Sequence, residues 1–155
     1  MIVILQRVSE ASVTVEGECV ARCDKGFLLL LGVAEGDEEK DAELLADKIA
    51  KLRVFEDEGG KMNLSVKDVG GKILVVPNFT LLAAYRKGNR PDFMNSARPE
   101  EAERLFRYFC DLMEERVPGV TRGVFGAHMH VSLLNDGPLT IPMDSAVLRA
   151  PKRAK

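Results

Sequence analysis

The run Phe27-Leu28-Leu29-Leu30-Leu31, continued by Gly32 and Val33, restricts the fold of this chain more than any other segment. It has no polar face, so as a strand it must be covered on both sides, which places it at the centre of a sheet. It is also far short of the roughly 20 apolar residues that a membrane helix needs. The whole chain has 155 residues, enough for one domain. A domain of this size buries roughly 70% of its unfolded surface and needs no staples. Three cysteines, Cys19, Cys23 and Cys110, form no Cys-x-x-Cys pair, which fits reduced thiols. The N-terminal residues show no basic region followed by a long apolar stretch and a cleavage site, so the expectation is a cytoplasmic protein without membrane association.

The segments around this strand change period in a readable order. Ile2 and Ile4, then Val13 and Val15, alternate with polar residues across Ser9-Glu10 and read as two strands. Glu16-Gly17-Glu18 then turns the chain back onto Cys19-Val20-Ala21. From Asp37, apolar Ala42, Leu45, Ile49 and Leu52 follow helical spacing behind an acidic start, which predicts a first helix. Val54-Phe55 and Lys72 to Val76 read as strands. Ala102, Leu105, Phe106, Phe109 and Met113 form one face of a second helix from about Pro99 to Arg116, stopped by Pro118-Gly119. Met129, Val131 and Leu133, then Leu139 and Ile141, alternate on either side of Asn135-Asp136-Gly137-Pro138 and read as two strands joined by a tight turn. The expected architecture is α+β: a mostly antiparallel or mixed sheet with two main helices on one face, in one domain over residues 1–145. Residues 146–155 are expected to be a flexible basic tail.

Charge and motifs narrow the function. With 22 Lys and Arg against 24 Asp and Glu, the formal charge is −2, which argues against a protein that holds nucleic acid by general phosphate neutralisation. Local basic clusters remain: Arg86-Lys87 with Arg90, and Arg149, Lys152, Arg153 and Lys155. The only histidines, His128 and His130, would share one face of a strand, but no third ligand of suitable spacing accompanies them. There is no Gly-x-Ser-x-Gly elbow, no phosphate-binding loop and no dinucleotide fingerprint. Two segments are unusual. In Pro77-Asn78-Phe79-Thr80-Leu81, a buried-type strand ends in a proline, an amide, an aromatic ring and a hydroxyl, where backbone N–H groups can be left unpaired. In Asn135-Asp136-Gly137-Pro138-Leu139-Thr140, glycine permits close backbone approach and proline withholds a ladder donor. An edge strand entering a loop and a plain turn are the simpler readings of these segments.

Together the two segments resemble the paired motifs of the D-aminoacyl-tRNA deacylases, which carry Ser-Gln-Phe-Thr-Leu and Asn-x-Gly-Pro-Val-Thr. The likeness extends from Gln6-Arg7-Val8 and Ala11 to Val15, through Lys61-Met62-Asn63-Leu64 and Arg90-Pro91, to Phe125-Gly126-Ala127 and Met129. The resemblance implies a homodimer that hydrolyses the ester between a D-amino acid and the terminal ribose of tRNA, without a cofactor or a metal. Gly137 and Pro138, joined by a cis bond, would reach into the partner's site, receive the substrate amino group on their carbonyls and exclude an L side chain. A glycyl ester would pass. Main-chain N–H groups at Phe79 and Thr80 would stabilise the oxyanion, and the substrate's own 2′-OH would help activate water. Thr80 as nucleophile is the alternative. Pro77, Asn78, Met129, Asn135 and Arg7 would bind substrate.

This sequence departs from the family pattern at Pro77 for Ser, Asn78 for Gln and Leu139 for Val, with His128 where an acidic residue is common. The first two changes fall where the terminal adenosine and the ester would bind. Three other readings therefore stand beside a working deacylase: a weakened or re-specialised editing homologue, a module that samples aminoacyl-tRNA without turnover, and a metal-dependent hydrolase using His128 and His130.

Overall fold

A computed structural model of the chain describes residues 1–152. Eight strands and three helices follow one another: β1 (Ile2–Val15), β2 (Glu18–Cys23), β3 (Gly26–Gly32), α1 (Glu39–Lys51), β4 (Phe55–Glu56), β5 (Met62–Leu64), β6 (Lys72–Pro77), α2 (Pro99–Arg116), β7 (Thr121–Arg122), β8 (His130–Asp144) and α3 (Ser145–Arg149). The main sheet has the order β2-β1-β3-β6-β7, with β8 on the free side of β1. β1 is antiparallel to β2, β3 and β8, whereas β6 runs parallel to β3 and to β7. This is the mixed α+β architecture expected from the sequence.

The apolar run behaves as its composition demands. Phe27, Leu29 and Leu31 of β3 and Ile73 and Val75 of β6 point to one face of the sheet, where α1 contributes Leu45 and Ile49 and α2 contributes Leu105, Phe109 and Met113. Leu28, Leu74 and Val76 point to the other face and pack with Val8, Ala11 and Val13 of β1 and Ala21 and Cys23 of β2. The sheet therefore curls over a second, smaller core. α2 starts at Pro99, whose fixed φ and missing N–H suit a first helical turn. α1 begins with a reciprocal capping box between Glu38 and Asp41.

Three expectations are corrected. The two strands expected around Ser9-Glu10 are one 14-residue strand, β1. The two strands expected around Asn135 to Pro138 are likewise one strand, β8, and no turn reverses the chain there. β8 is antiparallel to β1 on both sides of the interruption: Gln6 pairs with Thr140 and Val8 with Asn135. Arg7 alone thus faces Asp136 to Leu139, and the surplus of β8 is extruded as a bulge. The tail expected from residue 146 opens instead as α3, because Asp144 caps it through the Ala146 N–H at 2.9 Å and Arg149 bonds Asp41 at 2.8 and 2.9 Å. Arg153 and Lys155 of that tail lie outside the described residues.

Candidate active site

β6 delivers the first unusual segment to the end of the sheet. Pro77 is its last residue, and the Asn78 N–H still donates to the Leu31 carbonyl of β3 at 2.8 Å. Alternate residues of a strand present their amides to opposite neighbours, so position 77 faces the β7 side, like Val75, whose carbonyl accepts from Gly123 at 2.8 Å. The next bond of this parallel ladder would run from the N–H of residue 77 to the Gly123 carbonyl, and proline has no N–H to give, so the β6–β7 ladder stops there. Phe79 to Leu82 then wind into a single 3₁₀ turn.

That turn sits on β3 only because residue 32 is glycine. A Cβ there would lie 2.5 Å from Leu82 Cδ2, 3.0 Å from Leu81 Cβ and 3.1 Å from the Asn78 carbonyl oxygen. Within the turn the Leu81 N–H reaches the Asn78 carbonyl, but the N–H groups of Phe79 and Thr80 have no acceptor among the described residues. The Thr80 hydroxyl donates to Asn78 Oδ1. An amide oxygen is not a base at neutral pH, so Thr80 lacks the partner that would make it a nucleophile. Phe79 is 56% exposed and stands against Phe93, ring edge to face, at 5.1 Å. Its carbonyl accepts from the Ser96 hydroxyl at 3.1 Å.

Two cavities meet at this turn. An open groove of about 400 Å³ is lined by Pro77, Asn78, Phe79 and Thr80 on one side and by Gly126, Ala127, His128, Met129 and Val131 on the other. A smaller apolar pocket of about 80 Å³ lies behind it, between Pro77 to Phe79 and the side chains of Leu31, Phe106 and Phe125. The structure thus brings together Pro77, Asn78, Phe79, Thr80 and Met129 of the predicted site. His128 joins them from the loop before β8 rather than from a strand face, its ring 5.1 Å from that of His130. No cluster of three or more metal-ligating His, Cys, Asp or Glu residues exists among the described residues. Sequence reasoning missed Gly32, Phe93 and Ser96, which position Phe79 without touching the groove; no pattern in the sequence links residue 32 to residue 79.

The other predicted residues, Arg7, Asn135, Gly137 and Pro138, line neither cavity. They build the bulge on β8. The Gly137–Pro138 peptide bond is cis, and Gly137 has a φ of +138°, which disfavours any side chain. Arg7, only 9% exposed, reaches out of the sheet beneath it. Its Nε–H donates to the Asp136 carbonyl at 2.9 Å and its Nη1–H to the buried Val54 carbonyl at 2.5 Å. Asn135 clasps the base of the bulge: its Oδ1 accepts from the Leu139 N–H and its Nδ2–H donates to Thr140 Oγ1, each at 2.9 Å. Arg7 and Asn135 are therefore anchors of the projection rather than lining residues of the groove. Gly137 and Pro138 themselves are exposed.

Curated proteins named D-aminoacyl-tRNA deacylase are similar to the chain along nearly all of both sequences. The one from Thermomicrobium roseum is 56% identical over 149 residues, 96% of this chain and 97% of its own. That from Caldicellulosiruptor bescii is 53% identical over 142 residues, 92% and 95% of the two chains. A solved structure titled c-Myc DNA Unwinding Element Binding Protein superposes with a TM-score of 0.88 at 41% identity, covering 93% of this chain and 98% of that one. The family model described as D-Tyr-tRNA(Tyr) deacylase matches residues 4–144, and the chain belongs to that family.

Proposed function

We propose that the protein hydrolyses the ester linking a D-amino acid to the 3′-terminal adenosine of tRNA, at a site formed by the groove of one copy and the Gly137–Pro138 bulge of a second. The observation that carries this reading is the pair of unpaired N–H groups at Phe79 and Thr80 at the head of an open groove. The curated relatives' name, D-aminoacyl-tRNA deacylase, supports the substrate class. The bulge supports the pairing of copies: a backbone projection anchored by Arg7 and Asn135 stands away from the groove of its own chain. β8 is also an edge strand with Leu134 exposed, a surface that proteins commonly cover.

The chemistry follows from these groups. Water attacks the ester carbonyl with help from the ribose 2′-OH. The negative charge gathering on the carbonyl oxygen is met by the N–H groups of Phe79 and Thr80, which need no reorganisation. The bond to the 3′-oxygen then breaks, giving free amino acid and tRNA. The carbonyls of the partner copy's bulge receive the substrate ammonium, and the rigid backbone leaves space for hydrogen but not for an L side chain. A glycyl ester, having no side chain to exclude, is also a substrate. Such selection by backbone sterics discriminates more strongly than a pocket that merely lacks a contact. The departures at 77 and 78 are compatible with turnover, because Pro77 ends the β6–β7 ladder while the Asn78 N–H keeps its bond to β3, and Asn78 holds the Thr80 hydroxyl.

The test is the release of amino acid from D-tyrosyl-tRNA, with L-tyrosyl-tRNA as control. Hydrolysis of the D ester with sparing of the L ester supports the proposal. Equal cleavage of both, or none at enzyme concentrations matching the substrate, overturns it.

A further inference from the structure

An exposed, charged segment follows the Phe79–Leu82 turn and lines neither cavity. Between Ala84 and Asp92, which pair through backbone bonds of 2.7 and 2.8 Å, the chain projects as a lobe with the tip Tyr85-Arg86-Lys87-Gly88-Asn89-Arg90-Pro91. Tyr85 is 82% exposed. Arg86, Lys87 and Arg90 are exposed and enter no ion pair or side-chain hydrogen bond among the described residues. The only acid in the lobe, Asp92, is turned to its base, where it caps the Met94 N–H at 2.7 Å. The tip is thus purely cationic on a chain whose formal charge is −2. An exposed tyrosine among unpaired cations is a poor surface for packing against the protein itself. It suits a nucleic-acid strand, whose phosphates want the cations and whose bases want a flat ring.

The position matters as much as the composition. The lobe leads directly into Phe93, which packs on Phe79, and Ser96, which donates to the Phe79 carbonyl. Its base is therefore joined to the turn that carries the two unpaired N–H groups. We infer that the 84–92 lobe is the docking element for the acceptor arm of tRNA, with Arg86, Lys87 and Arg90 on backbone phosphates and Tyr85 stacked on an unpaired base. This rests on the function proposed above and assigns the part of the protein that holds the nucleic acid. The lobe concentrates attraction beside the groove and leaves the remaining surface net acidic, so RNA is drawn to one place.

The test measures binding of uncharged tRNA by fluorescence anisotropy at salt concentrations from roughly 50 to 200 mM. Replacing Arg86, Lys87 and Arg90 together by Gln is expected to weaken binding at least about tenfold and to lower the salt slope by about two to three, because each lost phosphate contact removes about 0.7–0.9. Tyr85→Ala weakens binding about tenfold with the slope kept, and Tyr85→Phe restores it. Arg53→Gln with Lys67→Gln, on a different surface, serves as the comparison and keeps the parent slope. A second readout is the ratio of kcat/KM for D-tyrosyl-tRNA to that for D-tyrosyl-adenosine, which lacks the acceptor arm; it falls about tenfold in the triple variant. An unchanged salt slope in the triple variant, an equal loss in the Arg53/Lys67 variant, or an unchanged ratio overturns the inference; a lobe that binds an acidic protein instead gives the first of these. Turnover of D-tyrosyl-adenosine by the parent reports on the proposed function separately, so failure of the lobe and failure of the reaction are told apart.

Discussion

Replacing Arg7 by Ala removes the guanidinium that ties the β8 bulge to the body of the protein, and the cost can be worked bond by bond. The bond to the Asp136 carbonyl is only partly buried and its residue is exposed, so water replaces the lost 2.9 Å bond at little expense. The Val54 carbonyl is different: its residue is 8% exposed, and the 2.5 Å bond from Nη1 satisfies a buried acceptor. Leaving it unpaired costs about 1–3 kcal/mol. Loss of the packed aliphatic stem of Arg7 adds about 1 kcal/mol. The expected destabilisation is therefore about 2–4 kcal/mol, read from urea unfolding at fixed protein concentration as a lower midpoint with the slope unchanged. Arg7→Lys has a point-like donor in place of the fork and recovers about half of it. Under the proposed function, D-tyrosyl-tRNA hydrolysis falls further than the unfolded fraction explains, because the projection loses its anchor while the groove stays intact. An Arg7→Ala protein within about 0.5 kcal/mol of the parent and fully active would refute both the anchoring and its role.

Other outcomes follow from the same geometry. Gly32→Ala places a methyl 2.5 Å from Leu82 and 3.0 Å from Leu81, so it costs about 1–3 kcal/mol in thermal unfolding and shifts the Phe79–Leu82 turn enough to lower turnover about 100-fold. Burial pushes the Cys110 thiol up to about 12, and burial with the neighbouring Asp24 raises Cys23 to about 11, whereas Cys19 is exposed. A thiol reagent at pH 8 therefore modifies one cysteine in the folded protein and three after unfolding. Burial alone would raise the Asp41 carboxyl, but hydrogen bonds from Arg149, the Glu38 N–H and Ser145 outweigh it and hold the group down to about 2. A depressed carboxylate stabilises the fold above its unfolded value near 4 and loses that contribution as the pH falls towards 2. The stability gap between parent and Arg149→Gln is expected to be about 1–2 kcal/mol at neutral pH and to close over that acid window; a gap independent of pH would contradict the assignment.

The sequence was most legible where one physical requirement ruled a segment. Phe27 to Val33 had to be covered on both faces, and α2 carries its apolar stripe between a proline start and a Pro-Gly stop, so both were readable. Pairing across the sheet was not. Ser9-Glu10 and Asn135 to Pro138 each interrupt the alternation of apolar and polar residues, and each reads as the end of a strand. The structure places both interruptions in the same β1–β8 ladder, where register shifts flank Val8 and the surplus residues of β8 bulge outwards. Local patterning records an interruption without saying whether the chain reverses there. For the same reason the groove-lining Pro77 to Thr80 and Met129 could be named from motifs, but the supporting roles of Gly32, Phe93 and Ser96 depend on contacts between segments distant in sequence. The bonds by which Arg7 and Asn135 hold the projection likewise join segments distant in sequence or span the bulge, and no local pattern announces them.

Under the proposed function, one reaction site needs two copies of the chain, a groove from one and a bulge from the other. Two defective variants test it. Phe79→Pro removes an N–H from the groove at the first position of the 3₁₀ turn, after an Asn78 already extended as a residue before proline should be. Gly137→Ala disturbs the bulge, since a Cβ there would lie 2.9 Å from the Leu139 nitrogen and 3.0 Å from Arg7 Nη2. Each protein alone is expected to be nearly inactive on D-tyrosyl-tRNA. Co-refolded in equal amounts, half of the pairs are mixed and each mixed pair has one intact site of two, so about one quarter of the parent activity returns. A mixture no more active than the average of its components would contradict the shared site.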